Sequence, residues 1–212
     1  MKNPCIQFQE NRIFLPFKTF YTIMKRFNLF FAIIILAAGM HKLHAQDNQL
    51  EVGDKIPNFE AVADDGETWK SGNIVGKKNL VVYFYPAAMT GGCTKQACAY
   101  RDAKEDLSSV DAEVVGISGD EVENLELFKR ANNLNFTLLS DPDGEIARLF
   151  GVPVRDGGSI EREVDGELHT LTRGLTTSRW TFIIDKQGKV VYKSTEVNAA
   201  EDSKAVLEAL KN

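Results

Sequence analysis

Residues 79–98 read NLVVYFYPAAMTGGCTKQAC, and this stretch predicts a central strand, a loop and the start of a helix. Its first seven residues are almost all apolar, β-branched or aromatic, which is typical of a strand buried on both faces of a sheet. Pro86 ends the strand, because proline has no backbone N–H to donate to a sheet. A loop of small residues follows, and Cys93 then stands at the start of a helix predicted over residues 94–107.

The rest of the chain alternates predicted strands and helices. Strands are predicted over 57–63 (at a sheet edge), 113–117, 136–139, 180–184 and 190–193, and helices over 121–131, 145–150 and 199–211. Residues 152–176 are polar and glycine-containing, which predicts either a hairpin or a long loop. This order predicts an α/β fold with a central mixed sheet flanked by helices on both faces. Chemistry in such folds tends to lie beyond the carboxyl ends of the central strands, where Pro86 and Cys93 stand.

Residues 1–45 have the layout of a secretory signal peptide. Met24-Lys-Arg is followed by an apolar run over 27–38 and by a small residue, Ala45. Cleavage there would leave residues 46–212 as an exported, periplasmic domain, and the true start would be Met24. The alternative is an uncleaved N-terminal anchor, although the apolar run is shorter than the roughly 20 residues that span a bilayer.

The charge of the predicted mature domain excludes some classes of partner. Residues 1–45 hold six of the chain's 25 Lys and Arg and one of its 30 Asp and Glu, so the remainder carries ten more acidic than basic residues. Such a domain repels nucleic acid and anionic membrane surfaces. We therefore expect a small-molecule substrate and a protein redox partner, with no stable membrane association after cleavage.

Two cysteines and one histidine remain after cleavage, namely Cys93, Cys98 and His169. They are too few ligands for a dedicated structural zinc site, so we expect no metal and no cofactor. Five residues along an α-helix separate two Cα atoms by about 8.6 Å, whereas a disulfide needs them within about 7 Å. A static disulfide between the two cysteines is therefore disfavoured, and a transient one requires the helix to unwind.

The position of Cys93 favours redox chemistry. Helix N-termini and cationic neighbours stabilise the thiolate, which is the reactive form of cysteine. Thr90 can offer a hydroxyl to the sulfur or to an incoming peroxide. A free cysteine is often only a small buried apolar residue, but a position after two glycines at a helix start argues against that reading.

The segment resembles the active-site motif of peroxiredoxins, Pro-x-x-x-Thr-x-x-Cys, through Pro86, Thr90 and Cys93. The second cysteine, Cys98, followed by Arg101-Asp102, resembles the PrxQ or bacterioferritin-comigratory-protein subfamily. The family's further active-site arginine, just before a strand, is matched by Arg179. The resemblance covers residues 50–211 and implies a thioredoxin-like fold.

The resemblance also implies a mechanism. Cys93 would attack hydrogen peroxide or an organic hydroperoxide and become a sulfenic acid, which Cys98 would resolve to an intramolecular disulfide. A thioredoxin-like protein would reduce that bond. Thr90 and Arg179 would hold the thiolate and polarise the peroxide, and the Pro86 ring would shield the sulfenate. The expected state is a monomer or weak dimer.

Some features depart from the family or leave alternatives open. Gly91-Gly92 stands in the loop where the family often has proline, and residues 155–176 have no assigned role. An exported thioredoxin-type thiol–disulfide oxidoreductase would need Cys-x-x-Cys, which is missing. A chaperone-like binding module would have lost the catalytic residues. A Cys–His hydrolase would depend on His169, which more simply is a solvated loop residue.

Overall fold

The computed structural model describes residues 49–212. The predicted signal peptide and its cleavage point lie outside these residues. The strands are β1 (Glu60–Ala63), β2 (Thr68–Lys70), β3 (Asn79–Phe84), β4 (Ala112–Ser118), β5 (Thr137–Ser140), β6 (Val154–Val164), β7 (Glu167–Thr177), β8 (Thr181–Ile184) and β9 (Val190–Ser194). The helices are α1 (Gly91–Asp102), α2 (Lys104–Ser109), α3 (Val122–Asn132), α4 (Glu145–Leu149) and α5 (Asp202–Lys211). Among these helices, none is both long and apolar enough to cross a membrane.

Seven strands form one mixed sheet in the order β2-β1-β5-β4-β3-β8-β9. β3, β4 and β5 are parallel, and the outer strands pair antiparallel to their neighbours. The predicted mixed sheet is confirmed, but the prediction that the first strand lies at an edge is wrong. β1 lies between β5 and β2, and the short strand β2, which the sequence reading did not include, forms that edge.

The buried strand β3 divides the core into two halves. Its alternating side chains place Val81 and Tyr83 on one face, and Leu80, Val82 and Phe84 on the other. The first face is covered by apolar residues from α1, α2, α3 and α5. The second is covered by α4 and by the segment before β1. Helices therefore lie on both faces of the sheet, as predicted, with four of the five helices of residues 49–212 on the face of Val81 and Tyr83.

The helix carrying both cysteines differs from its predicted bounds. α1 begins at Gly91 rather than at residue 94, and it ends at Asp102, where the backbone of Ala103 leaves the helical region. α2 then continues the chain as a separate short helix. Gly91 and Gly92 are consequently the first two helical residues and do not belong to the preceding loop. A Cβ at position 92 would lie 3.3 Å from Nη2 of Arg179, which explains why a residue without a side chain suits this position.

Residues 154–177 form a hairpin outside the main sheet. β6 and β7 pair antiparallel from Val154 and Thr177 to Val164 and Glu167, so the hairpin is the correct one of the two predicted alternatives. Asp165 and Gly166 have φ values of 54° and 84°, the left-handed pair that a two-residue hairpin turn requires. This Asp-Gly pair is the signal in the sequence that distinguishes a hairpin from a loop.

The hairpin packs against the end of the main sheet where β4 ends. Leu171 is fully buried, and Gly174 N donates to Gly119 O at 2.9 Å. A Cβ at Gly174 would collide with the carbonyl of Pro142, so the two backbones approach this closely only because position 174 is glycine. The hairpin is thereby held next to the loop that carries the predicted active site.

Candidate active site

The loop of residues 86–90 leaves the carboxyl end of β3 and is held by a buried carboxylate. Ala88 N donates to Oδ2 of Asp120 at 2.8 Å, and the Ser118 hydroxyl donates to the same oxygen at 2.8 Å. Asp120 is fully buried beyond the end of β4. Burial raises the pKa of the Asp120 carboxyl above its ordinary value, against the opposing effects of these two donors and of Arg173.

The hydroxyl of Thr90 is already engaged within the loop. Its Oγ1 donates to the carbonyl of Ala87 at 2.9 Å. In this arrangement the hydroxyl hydrogen is unavailable to the sulfur, so the oxygen of Thr90 is an acceptor for a ligand hydroxyl. Met89, just before Thr90, has φ of 58°, and its carbonyl accepts from Nε of Arg162 on the hairpin at 2.9 Å.

Cys93 lies in the first turn of α1, as predicted, and is 2% exposed. Nη2 of Arg179 lies 3.3 Å from its Sγ. The sheet explains this meeting of residues distant in the chain. β3 and β8 are antiparallel neighbours, so Arg179, two residues before β8, stands at the same edge as the loop just after β3. The guanidinium places a positive charge beside the sulfur, where it stabilises a thiolate.

The remaining predicted residues stand around this pair. Pro86 is half-buried at the start of the loop, and Cys98 is a half-buried free cysteine further along α1. His169 lies on β7, where it pairs in register with Arg162. The site therefore brings Cys93 and Arg179 into contact, with Pro86 and Thr90 in the adjoining loop and Cys98 on the same helix.

Several polar residues that the sequence reading did not single out complete the site. Gln96, one turn after Cys93, is fully buried and accepts a hydrogen bond from Nη1 of Arg179. Its Nε2 donates to Oδ2 of Asp202 at 2.7 Å. The helical spacing of Cys93 and Gln96 could have indicated that both face one site. Asp202 carries no such local signal, because 106 positions separate it from Gln96.

Two buried tyrosines lie beneath the cysteine. The rings of Tyr83 and Tyr100 stack with centroids 4.8 Å apart. Burial raises the pKa of Tyr83 well above its ordinary value, and the negative charges of Cys93 and Asp202 raise it further. Gly116 makes room for this ring, since a Cβ there would lie 2.6 Å from the Tyr83 hydroxyl. The floor of the site is therefore aromatic, and the Tyr83 phenol within it is uncharged.

A model of the AhpC/TSA family matches residues 52–193, which include all of the residues above except Asp202. The chain belongs to the AhpC/TSA family. A curated relative, peroxiredoxin Bcp of Bacillus subtilis (strain 168), is 34% identical to this chain over 163 residues. The alignment covers 77% of this chain and 96% of that protein. The chain is accordingly a peroxiredoxin of the Bcp/PrxQ kind, a thiol-dependent peroxidase.

Solved structures agree with this assignment. Peroxidoxin BcpB from Mycobacterium tuberculosis has a TM-score of 0.65 at 32% identity and covers 77% of this chain and 97% of its own. A bacterioferritin comigratory protein of Xanthomonas campestris, described for its alkyl peroxide reduction activity, has a TM-score of 0.59 at 27% identity. It covers 72% of this chain and 90% of its own. The predicted thioredoxin-like fold and peroxiredoxin family are confirmed, and the thioredoxin-type oxidoreductase alternative is not supported.

Proposed function

We propose that Cys93 is the peroxidatic cysteine of this peroxiredoxin. The observation that carries the proposal is the 3.3 Å contact between Nη2 of Arg179 and the Cys93 sulfur in the first turn of α1. The thiolate attacks one peroxide oxygen, the O–O bond breaks, and the leaving oxygen takes a proton to become water or an alcohol. Cys93 is left as a sulfenic acid.

The neighbours of Cys93 have complementary parts in this step. Arg179 stabilises the thiolate and donates to the oxygen on which negative charge develops. Thr90, whose own hydrogen is given to Ala87, accepts from the hydroxyl of the peroxide and orients it. The half-buried Pro86 ring shields the sulfenic acid from further peroxide.

Cys98 is the resolving cysteine in this proposal. Its thiol attacks the sulfenic sulfur, a disulfide forms and water leaves, so that both sulfurs end as one intramolecular disulfide. Both cysteines are free, and both lie on α1, so the attack requires α1 to unwind. A thioredoxin-like dithiol protein then restores both thiols by exchange and is itself oxidised.

The substrates, setting and assembly state are part of the same proposal. Hydrogen peroxide and organic hydroperoxides are the substrates, and the alkyl peroxide reduction activity of the Xanthomonas campestris relative supports the second class. Residues 1–45 direct export, and the mature domain works in the periplasm as a monomer or weak dimer. The excess of acidic residues in the mature domain supports a small-molecule substrate and argues against nucleic acid.

Consumption of hydrogen peroxide and of an organic hydroperoxide, coupled to a thioredoxin system, tests the proposal. Cys93→Ser is expected to reduce both rates to the background of the mixture without enzyme, because serine is not ionised near neutral pH. Ser109→Ala, a small change at the exposed last residue of α2 and away from the proposed chemistry, is the control and should keep the full rate. Activity of Cys93→Ser at the level of the unchanged protein would refute the assignment.

A further inference from the structure

Asp202, the first residue of α5, is a buried carboxylate at the edge of the active site. It is 3% exposed. Its Oδ2 accepts three hydrogen bonds, from Nε2 of Gln96 at 2.7 Å, from the Tyr100 hydroxyl at 2.7 Å and from the Thr181 hydroxyl at 2.8 Å. All three donors are neutral. Burying a carboxylate is costly, and three donors on one oxygen offset that cost.

The donors belong to different parts of the fold. Gln96 and Tyr100 are on α1, and Thr181 is the first residue of β8, directly after Trp180 and two positions after Arg179. Burial raises the pKa of Tyr100 well above its ordinary value, and the adjacent Asp202 raises it further, so the phenol remains a donor. Asp202 therefore ties together the helix that carries Cys93 and the strand that carries Arg179.

The side chain of Gln96 transmits the effect of Asp202 to Arg179. An amide has a donor side and an acceptor side, whereas an ionised carboxylate can only accept. The Gln96 NH₂ group must therefore face Asp202, and its oxygen must then face Arg179, whose Nη1 donates to it. Nη2 of the same guanidinium is left to contact the Cys93 sulfur at 3.3 Å.

We propose that Asp202 is a positioning residue for peroxide reduction, acting on Cys93 through Gln96 and Arg179 and holding α1 in its folded form. This inference rests on the proposed roles of Cys93 and Arg179. The side-chain hydrogen bonds described for Asp202 go to Gln96, Tyr100 and Thr181 and not to the Cys93 sulfur, and Asp202 lies beyond residues 52–193 that match the family model.

The same contacts give Asp202 opposite effects on the two chemical steps. Peroxide attack needs Arg179 held against Cys93, which the carboxylate promotes. Disulfide formation needs α1 to unwind between Cys93 and Cys98. Because Gln96 lies in that segment, its hydrogen bond to Asp202 must break. Loss of the carboxylate is expected to slow the first step and to speed the second. A residue that merely stabilised the fold would not separate the two steps in this way.

Asp202→Asn, in the full chain, is the first test. We expect the rate constant for the reaction of Cys93 with hydrogen peroxide to fall by about tenfold, because a charge-assisted hydrogen bond is replaced by a neutral one. We expect the rate of Cys93–Cys98 disulfide formation to rise. The peroxide concentration that over-oxidises half of Cys93 to sulfinic acid, read by mass spectrometry, should rise as well.

Asp141→Asn is the matched control. Asp141 is also a buried carboxylate, and it accepts from the backbone N–H groups of Ile146 and Ala147 at the start of α4. Its replacement should leave the rates of both chemical steps unchanged. An equal effect of both variants would overturn the proposal, since it would show a general sensitivity to lost buried carboxylates.

A reciprocal exchange is the second test, and its first variant, Gln96→Glu, leaves Asp202 in place and remains informative if Asp202→Asn folds poorly. Gln96→Glu places a second carboxylate beside Asp202, and neither group can donate a hydrogen bond to the other. This variant is expected to lower the rate of peroxide attack by about tenfold or more. Combining Gln96→Glu with Asp202→Asn restores a donor facing an acceptor, because the new amide at 202 can donate to the new carboxylate at 96. The double variant should recover most of the rate.

The outcomes separate this inference from the proposed function. Unchanged peroxide attack in Asp202→Asn, or a double variant slower than both single ones, would overturn the role of Asp202 while Cys93→Ser still abolished activity. Equal slowing of both chemical steps would also overturn it. Activity that survives Cys93→Ser would instead refute the proposed function itself.

Discussion

At the scale of single residues, the reactivity proposed for Cys93 depends on one arginine with two duties. Nη1 of Arg179 donates to Gln96 while Nη2 contacts the sulfur. A guanidinium can serve both acceptors at once because its donors form a fixed planar fork. An ammonium group is a single point charge on a flexible stem, so it cannot reproduce this geometry.

Arg179→Lys is therefore expected to slow peroxide attack by Cys93 by about tenfold or more, although the positive charge is kept. Stopped-flow tryptophan fluorescence can follow the reaction, since Trp180 adjoins Arg179. Arg148→Lys is a suitable control, because Arg148 is exposed and the one hydrogen bond described for its side chain goes to the backbone carbonyl of Asp143. Equal rates in Arg179→Lys and the unchanged protein would contradict the assigned role.

Asp120 shows how a buried acid supports the loop and makes stability depend on pH. Burial raises the pKa of its carboxyl in the folded protein above the ordinary 3.8. The folded protein thus binds this proton more tightly than the unfolded chain does. The contribution of the group to stability is fully present below the unfolded pKa and is lost as the pH rises through the folded one.

Comparison with Asp120→Asn, which cannot titrate, tests this dependence. We expect the free energy of unfolding of the unchanged protein, minus that of the variant, to decrease as the pH rises from about 4 and then to level off. Chemical denaturation at a series of pH values measures both quantities. A difference that increases with pH over this range would show that the pKa of Asp120 is lowered in the folded protein.

At the scale of elements, α1 has two incompatible duties. Its folded form holds Cys93 against Arg179, and it also carries Cys98 five residues further on, at a separation an intact helix cannot bridge. Gln96 and Tyr100 bind α1 to Asp202, and Arg101 donates to the carbonyl of Asn132 at 2.8 Å. Oxidation must break some of these contacts as well as helical hydrogen bonds.

We predict that oxidation lowers amide protection over residues 93–102. Hydrogen exchange on the reduced and disulfide forms measures this directly. Cys98→Ser, which cannot form the disulfide, should keep the protection of the reduced form after one equivalent of peroxide. It should turn over once and then accumulate over-oxidised Cys93. Equal protection in both redox forms, with the Cys93–Cys98 bond verified by mass spectrometry, would disprove the unwinding.

At the scale of the whole molecule, the sheet brings together residues from five segments of the chain. The carboxyl ends of β3 and β4 and the amino end of β8 meet at one edge, which places the catalytic loop, Asp120 and Arg179 side by side. Arg162 of the hairpin donates a hydrogen bond to the Met89 carbonyl in the catalytic loop. Asp202 of α5 accepts a hydrogen bond from Gln96 on α1.

Residues 1–45 are expected to be removed from the protein on export. We expect protein isolated from its native cells to begin near Gln46 and to lie outside the cytoplasm, because Met24 to Ala45 has the layout of a signal peptide. N-terminal sequencing of fractionated cells is the measurement. A start at residue 1 or 24 in the cytoplasmic fraction would contradict export, and the same start in the membrane fraction would show an uncleaved anchor.

Features that depend on neighbouring residues could be predicted from the amino-acid sequence alone. The apolar run over 79–85 predicts the central strand, and the motif of Pro86, Thr90 and Cys93 identifies the family. Arg179 was assigned only through the resemblance to the peroxiredoxins, whose active-site arginine stands just before a strand, because an arginine in that place is otherwise more simply a surface residue in a salt bridge. The helix start was predicted three residues late, because glycine is a poor helix former, yet here Gly91 and Gly92 are helical where a side chain would crowd Arg179.

The parts of the site that join distant segments became visible in the folded structure. Gln96 and Asp202 are 106 positions apart, and Asp120 and Ala88 are 32 apart. The position of β2 at the sheet edge and the contact of the hairpin with the active-site loop also became clear only in the folded structure. Periodicity and turn signals report how a segment folds locally, whereas a hydrogen bond between two segments depends on how the sheet and helices pack them together.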